Sequence, residues 1–188
     1  LEEHSYPFKN LYDALRIREA ILALFQDSSP ELSFLIAGAG PTGVEFAGEL
    51  SRWVLYLEKT SKKHCTCNIT LMDAAPEILP GFEPQIVRRA RRRLAKLGVK
   101  IKTNATIKEV TKHYALLTSD EKIPFNLLVW AGGVKAPEIL TSLPHKTEKK
   151  GRVEVSHEMF CISTDPHLDI GGKFFAIGDA ACFYDPKT

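Results

Sequence analysis

At 188 residues the chain has room for one large domain, or one domain with pieces of a neighbour, and it can bury a core without disulfide staples. Hydrophobic residues at 44% and charged residues at 26% are ordinary for a soluble globular protein and exclude a disordered one. A formal net charge of +2 is too small to argue for nucleic acid. Cys65, Cys67, Cys161 and Cys182 form no paired framework, so an intracellular compartment is the default. No apolar run approaches the roughly 18 to 20 residues of a membrane span, and the Glu- and His-bearing start does not read as a signal peptide. Leu1 in place of an initiator methionine, and an end soon after Asp179, read as an excised piece of a longer chain.

From Leu11 to Phe25 the apolar positions Leu11, Leu15, Ile17, Ala20, Ile21, Leu22 and Leu24 recur at helical spacing behind Asn10, a plausible N-cap. Ser33 to Ala37 is too short for a helix and reads as a buried parallel strand leading into Gly38-Ala39-Gly40-Pro41-Thr42-Gly43. Val44 to Leu57 follows as helix, and Glu58 to Asn68 as a loop or a helix extension. Ile69 to Met72 makes a second strand, and Pro76 to Pro84 a turn. Gln85 to Leu97 is helical, with Ile86, Val87, Ala90, Leu94 and Leu97 toward the core and Gly98 at its C-cap. Val99 to Lys102 is a third strand, Thr106 to Phe125 an antiparallel meander, and Leu127 to Ala131 a buried strand ended by Gly132-Gly133. Pro144 to Gly151 is linker-like, and Lys173-Phe174-Phe175 leads to Gly178-Asp179 as a second strand-to-helix junction. The expected fold class is α/β: a Rossmann-like domain with a parallel sheet and an inserted antiparallel β-meander.

A bare GxGxxG is a weak signal, but here it follows a strand and opens a helix, the context its mechanism needs. Gly38 permits the tight turn, Gly40 lets backbone approach a pyrophosphate, and Gly43 allows close helix–strand packing. Amides at the helix start then meet a diphosphate, aided by the helix dipole. Asp73, at the end of the second strand, can accept both adenosine ribose hydroxyls and would repel a 2′-phosphate, favouring NADH over NADPH. It lies 30 positions beyond Gly43, where about 20 from the fingerprint is usual; the polar Glu58–Asn68 stretch explains the excess, and a turn-capping role is the alternative. Glu45 gains from the helix dipole and points to the mouth where a nicotinamide would lie, a purely electrostatic role being the alternative. Ala131-Gly132-Gly133 leave room for a dinucleotide at the same sheet edge, or form an ordinary turn. Asp179 beside Gly178 can accept a ribityl hydroxyl of a flavin, or act as a local cap.

These residues resemble the two-dinucleotide-fold flavoproteins related to glutathione reductase, and within them type II NADH dehydrogenases. The resemblance rests on Asp13-Ala14-Leu15-Arg16-Ile17-Arg18 and Gly40-Pro41-Thr42-Gly43-Val44-Glu45. It rests also on Ala74-Ala75-Pro76-Glu77-Ile78-Leu79-Pro80, Trp130-Ala131-Gly132-Gly133-Val134 and Gly178-Asp179. It implies three stretches: residues 1–31 as a lead-in helix with a partial FAD-domain segment, 32–134 as the NAD-binding domain, and 135–188 as a partial return to the FAD domain. It also implies NADH and FAD as cofactors, with Gly38, Gly40 and Gly43 at the pyrophosphate, Pro41 among the cofactor-binding residues of the same turn, Asp73 at the ribose, Thr42 and Glu45 near the nicotinamide, and Gly178 and Asp179 at the flavin. Hydride would pass to the flavin and electrons on to a quinone, with no side-chain acid, base or nucleophile needed.

The resemblance further implies a cytoplasmic protein, or one peripheral on the inner face of the plasma membrane through regions beyond this chain, and leaves a homodimer open. Its earlier GxGxxG for FAD, its quinone-binding stretch and its membrane-associating tail have no counterpart in these residues. Two other readings stand beside it: a soluble FAD/NAD-dependent reductase of a disulfide, sulfide or ferredoxin, and a non-enzymatic NADH-sensing module. Arg88, Arg89, Arg91, Arg92 and Arg93 read as a solvated helix face, with a phosphate- or lipid-facing role as the alternative. Cys65-Thr66-Cys67 is neither a CxxC dithiol nor part of a metal set. Trp53 and Trp130 suit helix and strand cores.

Overall fold

A computed structural model describes residues 4–27, 29–60, 65–133, 138–149, 151–165, 167 and 172–184. The chain forms two compact units, residues 1–133 and 134–188.

In the first unit a two-residue strand β1 (Tyr6–Pro7) precedes α1 (Leu11–Gln26). Asn10 caps α1 reciprocally: its side chain accepts the Asp13 N–H at 2.9 Å while Asp13 accepts the Asn10 N–H at 3.2 Å, satisfying donors the first turn leaves free. Then come β2 (Glu31–Ala37), α2 (Pro41–Thr60), β3 (Thr66–Met72), α3 (Pro84–Lys96) and β4 (Val99–Lys102). The chain continues as β5 (Ile107–Val110), β6 (Tyr114–Leu117) and β7 (Lys122–Pro124), and closes with β8 (Leu127–Trp130).

Strands β1, β8, β2, β3 and β4 lie in that order in one wholly parallel sheet. Alternation along each strand divides its side chains between two faces, and the two faces have different covers. Leu32, Phe34, Ile36, Ile69, Leu71, Leu127 and Val129 pack against Ile17 and Ile21 of α1, Ala47, Leu50 and Val54 of α2, and Val87 and Leu94 of α3. Leu35, Ala37, Met72 and Leu128 face the other way, against Val110, Ala115, Leu117 and Phe125 of the three-stranded antiparallel sheet β5-β6-β7. The α/β class with a parallel sheet and an antiparallel insertion is therefore the observed one.

Several local expectations change. Leu11 is 77% exposed, Leu15 lies at the surface too, and Ile86 is 46% exposed, because the buried stripe of α1 runs through Ile17, Ile21 and Phe25 and that of α3 through Val87 and Leu94. Helix α2 starts at Pro41 rather than Val44, the fixed φ of proline suiting the first helical position. It also runs on to Thr60, so the long spacing to Asp73 is made largely by a 20-residue helix. The arginines of α3 form the solvated face expected: Arg88, Arg89, Arg92 and Arg93 are exposed, and Arg91 pairs with Glu77 at 2.6 Å.

The second unit is small. Strands β9 (Val153–Val155) and β10 (Ala181–Phe183) pair in parallel over a core of Val153, Val155 and Cys161. Pro144 to Gly151 is not a free linker there: Lys146 N–H donates to Ile162 O, Glu154 N–H to Lys146 O, and Thr147 bridges Val153, so its polar side chains decorate a paired backbone. The expected strand at Lys173–Phe175 reduces to one bridge between Phe175 and Phe160, followed by a 3-10 turn over Gly178–Ala180 in place of a helix. The apolar Phe-Phe pair suggested a strand, but both rings are exposed.

Two outcomes test this packing. Leu71→Ala, which empties a fully buried site on the helix-covered face, should cost about 2–5 kcal/mol in urea unfolding. Glu77 is held below the usual carboxylate range first by the Ile78 N–H and then by Arg91. A depressed folded pKa contributes stability above the unfolded value that is lost as pH falls through the folded one. Glu77→Gln should therefore lower the unfolding midpoint at neutral pH, and the gap from the parent should close on acidification.

Candidate functional site

The chain leaves β2, turns away to β3 and β4, and returns as β8 on the opposite side of β2. The carboxyl ends of β2 and β8 thus flank the point where strand order reverses, the place at which open α/β sheets bind ligands. Gly38 follows β2 there with φ +109°, and a Cβ on it would lie 2.5 Å from the Ala131 carbonyl carbon and the Gly132 nitrogen. Only a residue without a side chain lets the two loops touch.

Gly43 is buried in the first turn of α2, and a Cβ there would sit 1.8 Å from the Gly38 carbonyl oxygen. Its missing side chain seats the helix against the loop. Gly40 differs: a Cβ on it would have nothing within 4 Å, so the space before the loop is open at that backbone. The loop is also tied to the far side. Gly38 N–H donates to Met72 O at 2.8 Å, Ala39 N–H to Asp73 Oδ2 at 2.6 Å, and Leu79 N–H to Ala39 O at 2.8 Å.

A recess of about 190 Å³ lies at this edge, lined by Gly38, Asp73, Ala74, Thr106, Trp130 and Gly132 among others. The structure therefore brings together Gly38, Asp73 and Gly132 from three separate sequence stretches. Half-buried Asp73 also accepts the Ala75 N–H at 2.8 Å, so both carboxylate oxygens are engaged by backbone. Glu45 stands elsewhere, exposed in a groove between α2 and α3 with Gly48, Glu49, Arg52 and Arg93. Because α2 begins at Pro41, Glu45 falls outside the first turn, where the dipole is felt most.

Pro41 and Thr42 are exposed at the helix start, Ala131 is half-buried, and Gly133 ends the first unit. In the second unit, Gly178 and Asp179 are exposed in the 3-10 turn. Ala37, Met72, Ala74, Ala105, Thr106, Ile107 and Trp130 also line the recess and were not among the predicted site residues, although Trp130 belongs to the stretch 130–134 on which the resemblance rests. Ala37, Met72 and Trp130 end parallel strands, which is a positional signal, whereas Thr106 and Ile107 come from the connection into β5 and carry none.

A larger cavity of about 390 Å³ lies at the opposite, amino ends of β3 and β4, lined by Glu58, Cys65, Cys67 and Gly98 among others. The Cys65 and Cys67 sulfurs stand 3.5 Å apart there. Burial first, then Cys65 and Glu58, push the Cys67 thiol up, which keeps it protonated and a poor nucleophile at neutral pH. Among the described residues no cluster of three or more His, Cys, Asp or Glu could hold a metal ion.

A glycine turn closing against a second glycine-bearing loop at a strand-order reversal, with a carboxylate just beyond the neighbouring strand, is the arrangement of a Rossmann-like α/β domain. The chain belongs to the pyridine nucleotide-disulphide oxidoreductase family, which it matches over residues 4–187. It is 32% identical to the type II NADH:quinone oxidoreductase Ndh of Mycobacterium tuberculosis, across 92% of this chain and 40% of that protein. It is 29% identical to a probable NADH dehydrogenase of Dictyostelium discoideum, across 96% of this chain and 42% of the other. The fold matches that of NDH2 from Plasmodium falciparum, solved in complex with NADH, with a TM-score of 0.80 at 20% identity, over 97% of this chain and 40% of that one. The chain thus spans about 40% of the length of these relatives.

Two glycines of α2 should respond oppositely to alanine. Gly43→Ala must displace the Gly38 carbonyl and should cost roughly 1–3 kcal/mol. Gly48→Ala meets nothing nearer than Leu97 Cδ1 at 3.8 Å and should gain up to about 1 kcal/mol from helix propensity. Thermal melts of the two variants check the sign of each.

Proposed function

We propose that this chain is the NADH-binding portion of a flavoprotein oxidoreductase that takes hydride from NADH onto FAD and passes the electrons to a quinone. The observation that carries the reading is the open backbone at Gly40, held between the closed Gly38–Ala131 contact and the Asp73 carboxylate. A Cβ at Gly40 would meet nothing within 4 Å and α2 begins at the next residue, which supports the approach of a diphosphate to this backbone and the helix start. The recess beyond is smaller than the ~300–1,000 Å³ of drug-sized sites, which suits one nucleoside lying in it and the rest of an extended dinucleotide lying along the sheet edge. Support comes also from the family match and from relatives named as NADH dehydrogenases and NADH:quinone oxidoreductases.

In this reading residues 32–134 bind the dinucleotide and residues 135–188 return toward the flavin domain. Gly38, Gly40, Pro41 and Gly43 hold the diphosphate, and Asp73 accepts the ribose hydroxyls. Thr42 and Glu45 are assigned to the nicotinamide, which the extended dinucleotide would carry outside the recess, where Glu45 stands exposed on α2, and Ala131, Gly132 and Gly133 form the facing wall. Gly178 and Asp179 hold part of the flavin, whose isoalloxazine supplies the hydride-accepting chemistry when bound. The chain itself orients and dehydrates the reacting groups; no side chain here acts as acid, base or nucleophile. Among the described residues no helix is long and apolar enough to cross a membrane. The whole protein acts in the cytoplasm or on the inner face of the plasma membrane, where a quinone is within reach.

Gly40→Ala should fold as the parent does, because the added methyl meets nothing. It should also weaken NADH binding by roughly tenfold or more, the loss expected when about one strong hydrogen bond is displaced. Nucleotide fluorescence titration with circular dichroism reads both; a variant that binds NADH as tightly as the parent removes the diphosphate assignment. In the full-length protein, bleaching of the flavin spectrum by NADH and its recovery with a quinone analogue test the acceptor.

A further inference from the structure

The Asp73 side chain does more within the chain than cap its own turn. A local turn needs only the bond from the Ala75 N–H, two positions on, to Oδ1 at 2.8 Å. The bond to Oδ2 comes from Ala39, 34 positions back, and at 2.6 Å it is the shorter of the two. The Asp73 backbone is itself fixed, its N–H donating to Lys102 O at 3.0 Å and its carbonyl accepting the Ala105 N–H at 2.9 Å. Asp73 is therefore a post braced by the end of β4, and its carboxylate reaches across to the glycine turn.

Ala131, Gly132 and Gly43 pack against Gly38, but the hydrogen bonds of the turn run to one stretch: Gly38 N–H goes to Met72 O, Ala39 N–H to Asp73, and the Ala39 carbonyl accepts from Leu79. Ala39 is fully buried, and Gly40, whose backbone faces open space, comes next. The direction of the Ala39 amide plane sets where Gly40 and the first turn of α2 begin. Charge matters too: two amide donors offset the carboxylate, which lets an anion stand beside an anion-binding turn.

We propose that Asp73 is a positioning residue for the diphosphate-binding turn, acting through the Ala39 amide in addition to any contact with a ribose. The two roles are compatible, since a carboxylate has about four lone-pair sites and the backbone takes two. The inference rests on the dinucleotide reading given above. Asparagine at this position keeps size and turn chemistry but has a single oxygen, so one of the two amides loses its acceptor.

The test compares ADP with 2′,3′-dideoxy-ADP as competitors for NADH, in the parent and in Asp73→Asn. If Asp73 sets the turn, the dideoxy competitor weakens in the variant as well, about tenfold for a lost charge-assisted bond, and ADP weakens by at least as much. If it acts only on the ribose diol, ADP weakens while the dideoxy nucleotide binds as before, and the proposal is overturned. A parent chain that binds no NADH counts against the dinucleotide reading instead. A second measurement needs no variant: the Ala39 amide, donating to Asp73 Oδ2 at 2.6 Å, should exchange with deuterium slowly in the parent. An Ala39 amide that exchanges as fast as an unprotected loop amide overturns the proposal whatever the variant does.

Discussion

The carbonyl oxygen of Gly38 occupies the space that a side chain on Gly43 would fill. That single exclusion ties the exit of β2 to the first turn of α2, and most of the site geometry follows from it. With the helix drawn in this far, its free amides stand at the sheet edge rather than above it. Ala131 and Gly132 then close on Gly38 from the β8 side, where any methyl group would push the loops apart. The opening at Gly40 is what remains between these contacts.

The parallel sheet can hold such a crevice because its two faces are covered by different kinds of structure. Three helices take one face, where Phe34, Ile36, Leu71 and Val129 are buried. The antiparallel β5-β6-β7 sheet takes the other, over Leu35, Ala37, Met72 and Leu128. A parallel sheet buried on both faces reads as continuous apolar runs, which is how β2 and β8 appear in the amino-acid sequence. The meander also supplies the lip of the recess, since Ala105, Thr106 and Ile107 mark where β4 hands over to β5.

The α/β class, the parallel sheet and the meander were legible because each rests on periodicity over several residues. Gly38 and Gly43 were legible because backbone geometry admits no substitute, and the structure gives each a measurable clash. Position within a helix was harder to read: Glu45 was expected to gain from the helix dipole behind a start at Val44, but Pro41 begins α2 and places it beyond the first turn. The hydrophobic stripe of α1 was misjudged at Leu11 and Leu15, where apolar residues stay at the surface while Ile17, Ile21 and Phe25 turn inward. Exposed leucines are common enough that composition alone does not reveal which way a helix faces. The bond from Ala39 to Asp73 spans the gap between two strands, and no local pattern announces it.

Pairing of β8 beside β2 joins Phe34 to Leu127 and Ala37 to Trp130, segments more than ninety positions apart. The wall that completes the crevice is thus among the last parts of the first unit to leave the ribosome. A nascent chain that ends before Gly132 has the glycine turn and the helix behind it, yet lacks the surface that closes over them. Long-range pairing of this kind is slow, because chain entropy is spent before the contact repays it. The crevice is therefore complete only once the far end of the unit has been made and has paired.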